Sequence, residues 1–578
     1  MQISPEMTQL IPYLTQGIFV ELKNDTYSWT GKIKADEQEL APYEGEHNKI
    51  VESGSTLLDN NGPLIRHQFI VRENLPGIEV DLTLMNGECS YKERTPAVIG
   101  ANLFLTAPNG FSWISRFPWI KINKVATNLD TYVIKLPYTL YQGGLLYLGL
   151  ALVPNTLMVG TEPHPIIKDF LTKLPYLPKF NRVTLPNTAT VKNLLAKVKK
   201  DYSAFMAGQY PNEFSYIPAN YGGLTGGQSV RLDFGKEFQY ALTESEYYLM
   251  MKKWEFEIHA RPQRGYFSYL GYPVEPHQLP ASFKSAIGPS NLLFATKSQN
   301  PLNFNDVNPV KGSQDLQHGS RWFSPTKELA AMGDTHAQEI LVWMAAAARL
   351  DYKDPTKDVG PDWSTLGRGH AWCALLQVES YKYNKYPYPI FWLKKFIEAC
   401  EKAQTVHGGL MNQTSNKEAT VYARQWRADE LNAPILASDP DGPLELINYL
   451  DLPVEPVSQP PYEILLFAAV RAARNIGVPV SESLMQGLGK FIGNKARGKG
   501  MPSPYYRVRV DGAQRDNSLS NHYYGDFLYD IYSEGDFAED EDKWLNAFIP
   551  GGVNTIINSS YPWSNKWNLL ELLIQRNS

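Results

Sequence analysis

Residues 324–350, SPTKELAAMGDTHAQEILVWMAAAARL, predict a hairpin of two helices. Apolar residues recur at helical spacing on both sides of Gly333-Asp334, as they do on the buried face of a helix. Glycine commonly ends a helix, and the Asp334 carboxylate can cap the helix that follows. The same organisation predicts three further helix pairs, 369–381 with 389–405, 417–437 with a shorter segment near 444–450, and 462–475 with 481–492.

The second half of the chain contains more helical segments and hardly any strand signals. We predict these additional helices at 238–259, 417–437, 444–450, 521–532, 543–548 and 567–575. An array of helical hairpins either closes into a ring or extends as an open solenoid. The connecting loops are long and rich in Tyr, Gly, Pro and Asn, which suits the wall of a cleft. We therefore expect an α/α toroid over residues 238–578.

The first 200 residues have the pattern of an antiparallel β-structure. Short, partly alternating segments are separated by turns containing Asn, Gly and Pro. The predicted strands are 27–35, 66–73, 79–85 and 130–140. The apolar run 143–154, GGLLYLGLALVP, has the character of a buried strand. The expected fold is multidomain, β + α: an N-terminal antiparallel β-sandwich or barrel over residues 1–200, followed by the toroid of helical hairpins.

The predicted β-domain ends in a proline-rich stretch. This stretch covers 175–186, and a short basic helix is predicted after it at 189–200. A Gly/Tyr-rich connector, 201–237, then leads into the helical part. The chain is therefore divided into residues 1–200, 201–237 and 238–578.

The composition narrows the class of protein. The chain has 578 residues and a net charge of −5, so no basic excess is present and we expect no nucleic-acid partner. It contains 34 Tyr, 24 Phe and 13 Trp, and so many tyrosines suit sugar-binding clefts and wet protein interfaces. The three cysteines are widely spaced and indicate neither a disulfide framework nor a zinc site. We expect no metal and no cofactor.

The N-terminal segment lacks the basic and apolar regions of a secretory signal, so we expect no signal peptide. The longest apolar stretch, 143–154, is too short to cross a bilayer, so we expect a soluble chain without membrane insertion. These observations predict a cytoplasmic or virion-associated protein. A homo-oligomer or a larger assembly is compatible with either location.

Several local strings resemble known families. NYGGLTGGQ at 220–228, DLQHGSR at 315–321, GRGHAW at 367–372, and GGLMN at 408–412 with YAR at 422–424 resemble patterns in large uncharacterised bacterial and phage proteins. The Asp-x-Gln-His-x-x-Arg string is also similar to one in exo-rhamnogalacturonan lyase-like proteins. A β-domain coupled to an α/α toroid resembles polysaccharide lyases. The resemblance covers about 220–480 and implies an acidic polysaccharide or oligosaccharide as the partner.

Lyase chemistry removes the proton α to a uronate carboxylate and needs a base and a group that neutralises that carboxylate. His370 or Tyr422 is the candidate acid/base. Arg321 or Arg368 is the candidate partner of the carboxylate, and His318 stands close to Arg321 in sequence. The candidate substrate-binding residues are Tyr266, Phe267, Tyr269, Tyr272, Arg424 and Trp372.

Each of these assignments has an alternative. His318 and His370 can be capping or core residues, and the aromatic loops, which also include Tyr383, Tyr386 and Tyr388, can serve a protein interface instead of a sugar. Glycoside hydrolysis needs a pair of carboxylates, and no spacing singles one out among the acidic residues. Asp334-x-His336 alone is a poor metal site. The rival function is a non-catalytic structural component, or a receptor- or glycan-binding component, of a virion or surface assembly.

Overall fold

The computed structural model describes two parts of the chain. In the N-terminal part it describes residues 5–35, 49–60, 62–72, 77–86, 100–117, 119–125, 128–136, 144–160 and 162–164. In the C-terminal part it describes residues 324–331, 333–351, 368–383, 386–404 and 460–490. Isolated residues and short pieces are also described at 192, 196, 200, 203–204, 207, 253, 275, 366, 409–410, 457–458 and 508–509.

The described residues of the N-terminal part form one α-helix, twelve strands and two three-residue 3-10 helices, Leu58–Asn60 and Asn155–Leu157. The helix is α1, Pro5–Gln16. The strands are β1 Ile18–Lys23, β2 Ser28–Ile33, β3 Lys49–Leu57, β4 Leu64–Arg72, β5 Ile78–Asn86, β6 Asn102–Thr106, β7 Phe111–Ser115, β8 Ile122–Val125, β9 Asn128–Lys135, β10 Gly144–Pro154, β11 Met158–Val159 and β12 Glu162–Pro163.

Ten of these strands form two five-stranded antiparallel sheets. The order in the first, here called the outer sheet, is β2-β1-β6-β9-β8. The order in the second, the inner sheet, is β3-β4-β5-β10-β7. Strands β11 and β12 form a separate two-stranded pair. The predicted strands 27–35, 66–73, 79–85 and 143–154 are therefore confirmed, as is 130–140 as far as Lys135.

The two sheets enclose one apolar core. Alternate residues of the outer sheet, such as Val20 and Leu103, share this core with alternate residues of the inner sheet, such as Val80, Leu82 and Leu148. All five side chains are fully buried. This face-to-face packing is that of a sandwich, because side chains of period two meet between the layers.

The C-terminal part is built of helices. They are α2 Ser324–Ala331, α3 Thr335–Asp351, α4 Arg368–Tyr383, α5 Pro387–Ala403, α6 Pro460–Asn475 and α7 Glu482–Lys490. Helix α4 packs against α3, α5 and α6, while α2 packs on α3 and α7 on α6. Three of the four predicted hairpins are confirmed, and the fourth, 417–437 with 444–450, lies outside the described residues. A short strand pair, β13 Val457–Ser458 with β14 Val508–Arg509, is an addition.

The turn between α2 and α3 follows the sequence prediction. Gly333 has a positive φ of 86°, and its N–H donates to the Ala330 carbonyl at 3.0 Å. The Asp334 Oδ1 then accepts from the Ala337 N–H at 2.8 Å and caps α3. Because glycine adopts this left-handed conformation without a Cβ penalty, the two residues together end one helix and begin the next.

The closure of these helices into a ring stays a prediction, as do the boundaries at 200 and 237. The boundary segment 175–186 and the helices 417–437, 444–450, 521–532, 543–548 and 567–575 lie outside the described residues. Of the predicted helices 189–200 and 238–259, only residues 192, 196, 200 and 253 are described, and all four are helical.

Candidate functional site

Most of the predicted site residues lie outside the described part of the chain. These are His318, Arg321, Tyr422, Arg424, Tyr266, Phe267, Tyr269 and Tyr272. The other three lie at the start of α4: Arg368 is its first residue, and His370 and Trp372 follow. The structure therefore does not test whether the candidate acid/base and arginine residues meet.

His370 and Trp372 are buried. His370 is 4% exposed and Trp372 is 0% exposed, because α4 packs between other helices. This burial favours the alternative in which His370 is a core residue, and it removes the Trp372 indole from solvent. The catalytic and stacking roles of the two residues stay predictions.

A buried cluster around Arg349 lies on α3 and α4. The Arg349 Nε donates to Glu275 Oε2 at 2.9 Å, and Nη2 of the same guanidinium binds the other oxygen of this carboxylate. Its Nη1 donates to Gln377 Oε1, and Gln377 Nε2 in turn donates to the Ala345 carbonyl at 3.0 Å. A bidentate arginine–carboxylate pair is geometrically specific. It fixes Glu275, which follows Tyr272 by three residues in the sequence, on the helical hairpins.

Partly exposed aromatic side chains stand at the connection of α4 with α5. We call Tyr383, Tyr386, Tyr388 and Phe391 the aromatic turn. The three tyrosines are half-buried, and Phe391 is 63% exposed. The Arg349 guanidinium lies 6.0 Å from the Tyr388 ring centroid, so the aromatic turn and Glu275 contact the same arginine.

A second polar cluster covers the face of the inner sheet that points away from the sandwich core. We call Arg66, Glu79, Asp81, Arg116, Lys253, Asp334, His336 and Glu339 the ionic layer. Each of these side chains is at most 5% exposed. The layer joins strands β4 and β5 and the residue after β7 to the first turns of α3 and to Lys253.

Ion pairs run within the sheet and across to α3. Arg116 lies between two carboxylates of β5: its Nη1 is 2.6 Å from Asp81 Oδ1 and its Nη2 is 3.1 Å from Glu79 Oε2. The Arg66 Nε donates to Glu339 Oε1 on α3 at 2.7 Å. The two partners are 273 residues apart in sequence. The sandwich and the helices are thus joined by charges that lie out of reach of water.

The remaining members surround Tyr147 on β10. The Lys253 Nζ donates to Asp334 Oδ2 at 2.7 Å and lies 4.3 Å from the centroid of the Tyr147 ring. The His336 ring stacks on the Tyr147 ring, with 3.7 Å between the ring centroids and 5° between the ring planes. Thr335 Oγ1 donates to Asp81 Oδ2 at 3.3 Å. The start of α3 therefore binds Lys253 through Asp334 and strand β5 through Thr335.

Burial and neighbouring charges together shift the pKa values of these groups. Burial raises the pKa of Asp81 and of Glu339, against the pull of Arg116 and of Arg66. Burial would also raise the pKa of Asp334, but Lys253, His336 and two hydrogen bonds hold it at about 2. For His336, burial and the neighbouring cation Lys253 lower the pKa well below its usual range. A buried group of this kind either serves a reaction or joins two parts of a fold.

His67 is a second buried histidine, on the core-facing side of β4. Its Nε2 lies 3.0 Å from the Lys34 carbonyl, and its ring lies 5.0 Å from that of Phe69. Gly54 leaves room for the ring, since a Cβ there would lie 2.8 Å from it. Burial, with a smaller contribution from Arg66, lowers the pKa of His67 to about 3.

The pKa of His67 predicts a loss of stability in acid. The unfolded chain takes up a proton near pH 6.5 and the folded chain only near pH 3, so acid favours unfolding between these values. The free energy of unfolding then falls by up to about 1.4 kcal/mol per pH unit because of this group. In His67→Gln, the slope of the unfolding free energy against pH, measured by urea titration from about pH 6 to about pH 4, should be smaller by about 1 kcal/mol per unit.

The matched control is His164→Gln, because His164 is an exposed histidine of the same part of the chain. It should reproduce the wild-type slope. An unchanged slope in His67→Gln would contradict the burial of a neutral His67.

Sequence reasoning missed the ionic layer. It singled out only Asp334 as a cap and Asp334-x-His336 as a poor metal site. The sequence of β5, IEVDLTLMN, did contain a signal, because Glu79 and Asp81 occupy one face of this strand. The neighbouring strand β4, with which β5 pairs, contains Arg66. Ion pairs between strands, or between a strand and a distant helix, leave no local pattern in the sequence. For this reason the sequence did not indicate Arg116 and Glu339 as partners.

Within the described ranges, no three His, Cys, Asp or Glu side chains are grouped as a metal ion would require. None of the described helices is both long and apolar enough to cross a membrane. Comparison of the chain with protein-family models, curated proteins and solved structures finds no match.

Proposed function

We propose that the protein engages a carbohydrate through the aromatic turn. The observation that supports this is the exposure of Phe391 and the partial exposure of three tyrosines beside it. Rings with an apolar face and a hydroxyl at the tip suit sugars, which present C–H faces and hydroxyl groups together. In this proposal the turn forms one wall of the binding surface.

The Arg349 cluster supports an extension of that wall. Glu275 is bound to Arg349, which also contacts Tyr388. Tyr272 lies three residues before Glu275 in the sequence, and the proposal includes it in the binding surface. The earlier aromatic residues Tyr266, Phe267 and Tyr269 then complete a cleft for a polysaccharide or oligosaccharide.

The catalytic form of the proposal is β-elimination on an acidic glycan. A base removes the proton α to the uronate carboxylate, the bond from the β-carbon to the glycosidic oxygen breaks, a carbon–carbon double bond forms, and the leaving oxygen takes a proton. Tyr422 is the preferred acid/base, because His370 is 4% exposed. Arg321 or Arg368 neutralises the carboxylate; His318 lies three residues before Arg321 in the sequence, and Arg424 two residues after Tyr422. Unsaturated uronate from the wild type and none from Tyr422→Phe would support this form, and reducing ends without unsaturation would replace it with hydrolysis.

Binding tests the proposal more directly than catalysis. The purified full chain should be retarded in gels that contain one or more members of a panel of neutral and acidic polysaccharides. Tyr386→Ala and Phe391→Ala should each weaken binding by about three- to tenfold, since loss of an aromatic contact costs about 0.5–1.5 kcal/mol.

The control for this comparison is Val159→Ala. Val159 is another exposed apolar residue, 63% exposed, and it lies on the sandwich in β11. It should bind as the wild type does. Equal binding by the wild type and the two aromatic variants would show that the aromatic turn does not hold the sugar.

The second candidate is a non-catalytic structural component, or a receptor- or glycan-binding component, of a virion or surface assembly. The burial of His370 and Trp372 favours it, because neither side chain meets solvent. Sedimentation of the purified chain distinguishes the two candidates. A large symmetric assembly that releases no product from any glycan supports the structural role, and a monomer that releases product supports the enzyme.

A further inference from the structure

We propose that the solvent-facing side of the outer sheet is a binding surface for an acidic polysaccharide. This inference rests on the proposed carbohydrate function and adds to it a second contact surface and a substrate class. The surface consists of the outward positions of β2, β1, β6 and β9, which we call the lysine face.

The register of the outer sheet aligns the cations of this face. Lys23 on β1 pairs with Asn102 on β6, and Asn102 pairs with Lys135 on β9. Two strand spacings separate the lysines, which is about 10 Å. Lys121 directly precedes β8, whose Ile122 pairs with Ile134, so the row of lysines continues across the sheet.

A fourth lysine stands at the other end of the face. Lys32 on β2 pairs with Phe19 on β1. Lys23, Lys32, Lys121 and Lys135 are all exposed. A polysaccharide with repeated carboxylates can form several weak ion pairs with these lysines at the same time.

The described outward positions of β1, β2, β6 and β9 carry three lysines, Lys23, Lys32 and Lys135, against one carboxylate, Glu21, and Asp59 adds a second carboxylate beside Thr30. Glu21 accepts a hydrogen bond from the Ser28 hydroxyl at 2.8 Å. Asp59 accepts from the Thr30 N–H at 2.6 Å and from its hydroxyl at 3.0 Å. The lysine face is therefore locally cationic, although the whole chain has a net charge of −5.

The face also offers apolar and polar contacts for sugar rings. Phe19 is 39% exposed, and Phe104 on the neighbouring strand is half-buried on the same side. Asn102, Thr30 and Ser28 add amide and hydroxyl groups. A mixture of cations, ring faces and short polar groups fits a polyuronate better than a smooth apolar partner.

The test uses the full chain with polygalacturonate and, as a matched neutral polymer, its methyl ester. The variant Lys23→Gln/Lys32→Gln/Lys135→Gln should bind polygalacturonate about tenfold more weakly than the wild type. The control triple variant, Lys192→Gln/Lys394→Gln/Lys402→Gln, removes the same charge from exposed lysines elsewhere and should bind as the wild type does. The wild type should prefer polygalacturonate over the ester, and added salt should reduce that preference.

The outcomes separate this inference from the proposed function. Unchanged binding of polygalacturonate by the lysine variant overturns the inference and leaves the carbohydrate function in place. If the wild type binds neutral polysaccharides only, the inference is also overturned and the carbohydrate function again stays in place. Equally tight binding of duplex DNA would show that the lysine face binds polyanions in general, and this too would overturn the inference. A chain that binds no polysaccharide contradicts both.

Discussion

Replacement of Arg116 by Met is expected to lower the free energy of unfolding by about 3–5 kcal/mol. The guanidinium lies between Glu79 and Asp81, and all three side chains are buried. Methionine fills much of the volume but leaves two carboxylates of one strand without their cation. A buried charge that loses its partner costs more than the pair itself contributes, because desolvation is no longer offset.

The pH dependence of this loss identifies its cause. Without Arg116, burial raises the pKa of Asp81 further, since the opposing cation is absent. The folded variant then binds protons more readily than its unfolded chain, so its deficit relative to the wild type should shrink from about pH 7.5 to about pH 5. Urea titrations followed by tryptophan fluorescence measure both quantities.

Two further variants control the Arg116 experiment. Arg474→Met removes a partly exposed arginine that lies 3.9 Å from the exposed carboxylate of Glu482, and it should cost less than about 1 kcal/mol. Adding Glu79→Gln and Asp81→Asn to Arg116→Met should restore most of the lost stability. A deficit that is independent of pH and unrelieved by these additions would mean that Arg116 acts by packing alone.

Replacement of Asp334 by Ala is expected to lower the free energy of unfolding by about 4–6 kcal/mol. The residue accepts from Lys253 with one oxygen and caps α3 with the other. Alanine removes both interactions, and Lys253 is then buried without its carboxylate. The cap contributes about 1 kcal/mol of this loss and the buried cation the rest.

Asparagine at position 334 separates the two contributions. Asp334→Asn keeps an oxygen for the Ala337 N–H but removes the negative charge, so its loss should be smaller than that of Asp334→Ala by about 1 kcal/mol. Unfolding by urea, followed by far-ultraviolet circular dichroism, gives the comparison. Equal losses in the two variants would mean that the cap contributes nothing.

The helices and most strands could be predicted from the sequence because their signals are local. Gly333 and Asp334 end one helix and cap the next through contacts within four residues. The run 143–154 likewise has enough apolar residues to demand a buried strand. Such signals do not depend on the partner that an element packs against.

The ionic layer could not be predicted because it depends on such partners. The alternation of apolar and polar residues in β5 is typical of a strand with one face in water. Here both faces are buried, and the polar one is covered by α3. Only the tertiary arrangement tells a buried carboxylate such as Asp81 from an exposed one.

The candidate site was accessible to sequence reasoning only in part. The tyrosines of the aromatic turn were identified from composition, and the structure describes them as half-buried beside Phe391. His370 was selected from the string GRGHAW, which contains no information about the helices that cover it. A local motif can suggest a residue's chemistry, but solvent access is decided by packing.

The ionic layer joins the sandwich to the helices through buried polar contacts such as Arg66 with Glu339 and Thr335 with Asp81. The lysine face lies on the sandwich and the aromatic turn on the helices. Because the layer covers the inner sheet, the lysine face on the outer sheet points away from the helices.

A double-mutant cycle on Arg66 and Glu339 measures this joining most directly. The pair connects β4 to α3 at 2.7 Å, and both side chains are buried. Arg66→Met and Glu339→Gln should each destabilise the chain by about 3 kcal/mol, and the double variant should lose less than the sum by about 1–3 kcal/mol. A coupling energy near zero would contradict the account, because the two parts would then not be held together by the ionic layer.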